Sequence, residues 1–291
     1  MPSQAYPRSA GSAAFGAAAA LLILTANVAA DASHRAAAES RLEAEYVATL
    51  DGFTVGRGNL VVDIAPDQYS AAATGTTTGL LRFFTGGRGN TATHGIFAGG
   101  APSPKTYAAT IATDKSTDDV RMTLANGNVK EYTVDPPVTP HPDRIPVSDA
   151  DRRGVTDPMS STINHIAGSG NLIAPESCNR KVPIFDGRLR YDLESEFKRV
   201  ETVKTEKGYE GPVLVCAVYF RPIAGYVPER SAIKYLIALR DAELWQAPIA
   251  GTRFLVPIRL VVPTPIGTGV LRATQFIAQS PTMPPLPSKT Q

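Results

Sequence analysis

From residue 42 to residue 278 short runs of alternating apolar and polar residues recur, separated by glycine, asparagine, aspartate and proline. A period of two places every second side chain on one face of an extended backbone. Such runs at this spacing predict antiparallel strands joined by tight turns. In the first half the pattern predicts strands at 42–50, 53–55, 59–64, 68–73, 78–84, 93–97, 105–113 and 120–124. Leu42, Ala44, Tyr46, Ala48 and Leu50 share one face of the first. Asn126-Gly127 supplies two residues that accept positive φ, so it predicts a hairpin joining 121–124 to 129–134.

A connector over 135–156 follows, with prolines at 136, 137, 140, 142 and 146. No strand or helix interior tolerates that density. It divides an N-terminal meander (41–134) from the C-terminal half (157–278) of one β domain spanning 41–278. A helix is expected next, with Asp157 as N-cap, Pro158 in the first turn and Gly168-Ser169-Gly170 as its end. Met159, Ile163 and Ile166 would share its apolar face and cover the sheet.

Strands resume over 188–204, where the apolar phase shifts between Phe197 and Val200 and predicts a bulge. Residues 213–220 are continuously apolar, as expected of a strand buried on both faces. Residues 231–245 are ambiguous, and Ile233 to Ile237 is read as strand. Strands at 254–262 and 270–278 complete the set, and the proline-rich residues 279–291 hold no core residue. The class is therefore all-β, antiparallel, with one or two short helices.

The N-terminus carries Arg8, an alanine- and leucine-rich run over 13–26, and small residues at Val28-Ala29-Ala30. This is the layout of an export leader over 1–30, and 31–40 reads as a flexible lead-in. An uncleaved anchor is the alternative, although the run is shorter than the ~20 residues a spanning helix prefers. No later segment is apolar enough to span a bilayer, so the mature form is expected not to cross one.

Export sets the reading of the two cysteines, Cys178 and Cys216. In an oxidising compartment they are expected to form a disulfide closing a loop of ~39 residues. They are not spaced as a Cys-x-x-Cys redox pair. His34, His94, His141 and His165 are scattered without metal-ligand spacing, so neither metal nor cofactor is expected. The formal net charge of +2 and the interleaving of acids with bases leave no basic stripe for nucleic acid.

Candidate chemistry is sparse. Gly56-Arg57-Gly58-Asn59 recurs as Gly87-Arg88-Gly89-Asn90. Glycine pairs can form anion-binding nests, but both copies are read as turns between strands. Gly75-Thr76-Thr77-Thr78-Gly79 has the outline of a nucleophile elbow without the helix or the histidine that one needs. Asp186 and Asp192 flank Arg188 and Arg190 at a turn and read as Asx and surface contacts. Glu243 beside Trp245 reads as one end of a cross-strand ion pair. No acid and base with separated pKa values can be named, and no catalytic residue is assigned.

Several spaced motifs resemble a known family. They are Arg153-Gly154-Val155-Thr156-Asp157-Pro158-Met159-Ser160, Phe185-Asp186-Gly187-Arg188 with Arg190-Tyr191-Asp192-Leu193, Gly208-Tyr209-Glu210-Gly211-Pro212, Cys216, Pro222-Ile223-Ala224-Gly225-Tyr226 and the stretch 245–251. Together they are similar to the exported bacterial proteins grouped as domain of unknown function 3108, in the version common in alphaproteobacteria. The resemblance covers residues 41–278. It implies an exported, strongly curved antiparallel sheet forming an open barrel or β-spiral, and it carries no assigned chemistry.

In such a sheet the glycines set corners and the prolines end strands. A sheet that curves without closing leaves a trough, for which Phe185, Tyr191, Tyr226 and Trp245 are the candidate lining residues. The expected function is then non-enzymatic support of the cell envelope from the periplasm, holding a lipid or an envelope protein segment in the trough. The alternatives are a hydrolase or transferase acting on envelope polymers, or a purely structural partner in an envelope complex.

Overall fold

The computed structural model describes residues 40–78 and 87–279. The expected leader, most of the lead-in, all but Thr78 of the strand expected at 78–84 and the proline-rich tail beyond Gln279 lie outside them. Fifteen strands build one sheet: β1 (Ser40–Leu50), β2 (Phe53–Ile64), β3 (Gln68–Thr77), β4 (Gly87–Ala98), β5 (Ala101–Thr113), β6 (Thr117–Ala125), β7 (Asn128–Asp135), β8 (Asn164–His165), β9 (Arg180–Phe185), β10 (Arg190–Lys204), β11 (Lys207–Gly208), β12 (Glu210–Ala224), β13 (Glu243–Pro248), β14 (Phe254–Thr264) and β15 (Gly267–Gln279). Their spatial order is β7-β6-β5-β4-β3-β2-β1-β15-β14-β13-β12-β10-β9, with β8 on β14 and β11 on β15.

The first and last long strands are therefore neighbours. β1 pairs with β2 on one side and with β15 on the other, Leu42 facing Val62 and Ala278. A meander of seven strands extends from one side of this pairing and the C-terminal strands extend from the other. Leu42, Ala44 and Tyr46 are buried along the inner face of β1, as the alternation predicts. The Asn126-Gly127 turn forms with both residues at positive φ. The bulge in β10 falls between Phe197 and Arg199, and residues 213–217 of β12 are buried throughout.

Among the described residues the hydrogen-bonded ladder does not close, since β7 and β9 are its two ends. Curvature nevertheless brings these ends together through four consecutive residues. Phe185 packs edge-on against Tyr132 of β7, with ring centroids 5.4 Å apart. Asp186 Oδ1 accepts from the backbone N–H groups of Arg188 and Leu189 at 2.8 and 2.6 Å, fixing the β9–β10 turn. Gly187, at φ +95°, lies so close to Val120 that a Cβ there would meet Val120 Cγ1 at 2.6 Å. Arg188 Nη2 then reaches Asp118 Oδ1 on β6 at 2.9 Å. The open barrel expected from the family resemblance is held shut at this seam by side chains.

The connector crosses the same gap. Val155 N–H donates to the Gly127 carbonyl at 2.7 Å, Thr156 N–H donates to Pro183 O at 2.9 Å, and Phe185 N–H donates to Thr156 O at 3.0 Å. Residues 154–157 thus form a strap joining the β6–β7 turn to β9.

Two expectations are corrected. Residues 157–167 do not form a helix: a short 3-10 turn, Ser160–Thr162, is followed at once by β8, which pairs with Phe254 and Leu255 of β14. Asp157 does cap that turn, and Met159 and Ile163 are buried, but pairing to the sheet overrides the helix signal. Conversely, the strand expected at 233–237 is helix α1, Ser231–Ala238. Ile233, Leu236 and Ile237 also fit a period of 3.6, and periodicity cannot separate the two states in so short a run.

Candidate functional site

A cavity of about 720 Å³ opens on the inner side of β1–β5, with β14, β15 and the turn carrying Met159 and Thr162 forming its other walls. Tyr46, Leu60, Met159, Pro257 and Leu271 contribute large apolar surface, and Ala48 and Ala73 line it between them. The space exists because of what its floor lacks. Gly58 of β2 pairs with Gly75 of β3, and Gly75 pairs with Gly89 of β4. Three adjacent strands therefore carry no side chain along one row, and Gly56 and Gly87 extend the bare floor toward the rim.

This corrects the reading of the two Gly-Arg-Gly-Asn copies as turns. Both lie inside strands, β2 and β4. Glycine inside a strand marks a bulge or a close backbone approach. At Gly58 a Cβ would lie 2.7 Å from the Thr74 carbonyl oxygen. One signal was present in the sequence: Ala71, Ala73 and Gly75 recur at a spacing of two, so one strand face is small throughout. Gly75-Thr76-Thr77 is part of β3 rather than an elbow, and Thr77 Oγ1 accepts from the Gly87 N–H at 2.8 Å.

The four aromatics expected to line a trough are placed apart, and none lines this cavity. Phe185 is buried at the seam. Tyr191 packs against Phe220 at a tilt, with centroids 5.2 Å apart. Tyr226 takes the Ile145 N–H on its carbonyl at 2.9 Å, tying the connector to the loop after β12. Trp245 lies between the guanidinium groups of Arg199 and Arg259, at 5.2 and 4.7 Å from its ring centroid.

Beside Trp245, Glu243 accepts from Lys198 Nζ at 2.6 Å, from Arg199 Nη1 at 2.8 Å and from Trp245 Nε1 at 3.0 Å. The Arg199 hydrogen bonds, ahead of those from Lys198 and Trp245, hold its pKa down to about 2. A carboxylate so saturated is an ion-pair anchor, as its place beside Trp245 suggested.

A fully buried carboxylate ties the strap to the meander. Asp157, fully buried, accepts from Met159 and Ser160 N–H on Oδ1, both at 2.9 Å. On Oδ2 it accepts from Ser160 Oγ at 2.5 Å and lies 3.1 Å from Thr93 Oγ1. Tyr69 Oη completes the network at 2.8 Å from Ser160 Oγ. Burial pushes the Asp157 carboxyl above the ordinary carboxylate value, against the downward pull of the Ser160 and Thr93 hydrogen bonds. This network was missed in the sequence because Tyr69, Thr93 and Asp157 come from segments far apart in the chain.

Cys178 and Cys216 form a disulfide with Cα atoms 5.5 Å apart. With Leu214 and Leu255 they make a second apolar cluster, packed by Ile166, Leu172 and Ile173. The segment between β8 and β9 is thus clamped over the sheet. Among the described residues no group of three or more His, Cys, Asp or Glu is placed to hold a metal, and no helix is long and apolar enough to cross a membrane.

The model of the family described as protein of unknown function DUF3108 matches residues 45–274. The chain belongs to the DUF3108 family. The match spans the seam, the strap, the cavity floor and the disulfide of this DUF3108 chain. No curated protein matches it. Among solved structures it is similar to a β-barrel-like protein of domain of unknown function DUF1849 from Brucella abortus, with 10% identity, 83% of this chain and 98% of that one covered, and a TM-score of 0.44. A protein with a YmcC-like fold from Bacteroides fragilis shares 9% identity over 82% of this chain and 95% of that one, with a TM-score of 0.26.

Proposed function

We propose that this protein is a non-enzymatic, periplasmic component of the cell envelope that holds an apolar ligand, the acyl chain of a lipid, in the cavity over β1–β5. The observation that carries the reading is the glycine row Gly58, Gly75 and Gly89 beneath walls of Leu60, Met159, Pro257 and Leu271. At about 720 Å³ the cavity falls within the ~300–1,000 Å³ of ordinary ligand sites. Roughly a dozen buried methylenes contribute about 10 kcal/mol gross. That is set against about 4–15 kcal/mol for association. The disulfide supports an oxidising compartment.

Two floor positions allow a clean test. A Cβ at Gly75 would have Arg57 O as its nearest neighbour at 3.8 Å, and one at Gly89 would meet Thr110 O at 3.6 Å. Gly75→Leu and Gly89→Leu therefore add bulk to the cavity without a backbone clash. Native mass spectrometry of protein exported to the periplasm should show a lipid adduct that the double variant loses by at least tenfold. Equal adducts in both proteins, or none in the wild type, would overturn the reading.

A further inference from the structure

The end of the sheet where the cavity opens also presents apolar side chains that the fold does not use. Phe53, just past the β1–β2 turn, is 72% exposed; Ile266, in the β14–β15 turn, is 75% exposed. Ile111, on the cavity lip in β5, is 55% exposed. Scattered exposed apolar residues need no explanation. These stand on a braced platform.

Asp51 N–H donates to Thr268 O at 3.0 Å, and Thr268 N–H donates to Asp51 Oδ1 at 2.7 Å. Leu50 pairs with both Phe53 and Gly269. The two neighbouring turns, and with them Phe53 and Ile266, are therefore held together.

Behind this edge Arg57 and Arg88 are exposed on β2 and β4, flanking Thr76 in one cross-strand row. Neither has an ion-pair partner among the described residues. Two strand spacings separate their backbones, about 10 Å, and Arg57 lies about 13 Å along the strand from Phe53. An interfacial apolar group sinks about 5–10 Å into the boundary of headgroups and acyl chains, which leaves both guanidinium groups at headgroup height. Among the described residues the acids at this end are Asp51, already bonded to Thr268, Asp114, which adjoins Lys115, and Asp118, which lies opposite Ile111 and is paired with Arg188. Cations are in excess.

We propose that this end docks on the anionic surface of a lipid bilayer. Phe53 and Ile266 enter the acyl boundary, Arg57 and Arg88 engage lipid phosphates, and the cavity mouth faces the leaflet. The inference rests on the acyl-chain reading of the cavity and supplies the surface from which such a ligand is taken or to which it is delivered.

The test is co-sedimentation of protein exported to the periplasm with vesicles of phosphatidylcholine and phosphatidylglycerol at 70:30, and with pure phosphatidylcholine. Wild type should bind the anionic vesicles, more weakly as salt is raised. Phe53→Ser with Ile266→Ser should lower binding at least tenfold. Arg57→Gln with Arg88→Gln should lower it about fivefold per arginine, on the anionic vesicles alone. All four positions are exposed, so urea midpoints should not change and serve as the folding control.

Equal binding by wild type and both double variants overturns the docking inference, whatever the cavity holds. So does a dimer in light scattering that Phe53→Ser with Ile266→Ser dissolves while vesicles capture nothing, since the edge then meets a second copy. Vesicle binding by a wild type that carries no lipid adduct leaves docking standing and rejects the acyl-chain reading. The two failures are thereby distinguished.

Discussion

Tyr132 and Phe185 sit on strands at opposite ends of the sheet order, yet their rings meet edge-to-face with centroids 5.4 Å apart. This contact, with the strap over residues 154–157, substitutes for the hydrogen bonds that would close a barrel. Phe185→Ala should cost about 3–5 kcal/mol of unfolding free energy, as for a buried aromatic truncated to alanine. A double-mutant cycle with Tyr132→Ala, followed by urea denaturation, should give a coupling of about 0.5–1.5 kcal/mol. Zero coupling would show that the edges are held by the strap and by the Gly187–Val120 and Arg188–Asp118 contacts instead.

Asp157, like Asp186, is an acid whose burial disfavours its charge. With its folded pKa raised above the unfolded value near 3.8, the native state binds its proton more tightly. The group's cost to stability is full above the folded pKa and fades as pH falls toward the unfolded value. Asp157→Asn, which keeps an acceptor for the Met159 and Ser160 N–H groups, should remove this pH-dependent difference from wild type. Asp157→Ala, which leaves buried donors unpaired, should cost about 3 kcal/mol. Urea midpoints at several pH values decide both.

Glu243 has the opposite sign. Its pKa is depressed from 4.5 to about 2 by Arg199, Lys198 and Trp245, so its contribution is present above the unfolded value and is lost as pH falls from about 4.5 toward 2. Glu243→Gln should flatten the acid limb of the stability curve in that window. An unchanged limb would locate the acid sensitivity elsewhere.

Arg180 has no hydrogen-bond or ion-pair partner among the described residues, and burial lowers its pKa to about 10. Arg180 is half-buried at the edge of an open pocket, so its charge is partly desolvated without a counter-charge, and an apolar replacement of similar length relieves that cost. Arg180→Met should therefore leave stability unchanged or raise it by up to about 1 kcal/mol. A loss of several kcal/mol in chemical denaturation would mean that this arginine has a partner in solution.

Reduction should act on the clamp over β12. The Cys178–Cys216 bridge spans 38 positions, for which chain entropy assigns about 4 kcal/mol at most. Dithiothreitol should lower stability by about 2–4 kcal/mol. Alkylation of unreduced, denatured protein should label no cysteine. Two labels per chain would contradict the bridge.

Although β8, β9 and β13 were not legible in the chain itself, most of the long strands, the Asn126-Gly127 turn, the bulge in β10 and the cysteine pair were. Each is a local pattern, or a count read against its compartment. Alternation states that a strand has two faces, and Asn-Gly states a turn, wherever the strand ends up. The helix at 231 and the missing helix at 157 were not legible, because pairing to a sheet edge competes with propensities of similar size.

The glycines show the divide most clearly. Gly56, Gly58, Gly87 and Gly89 lack a Cβ, and that lack suits a turn and a bare strand face equally. Only the register of β2, β3 and β4 lines Gly58, Gly75 and Gly89 into one row. Only the curvature that brings Phe185 to Tyr132 encloses that row as a cavity. Local sequence determines which way a side chain points along its own strand. What it points at is set by contacts between residues tens to hundreds of positions apart, which folding must bring together against loop entropy.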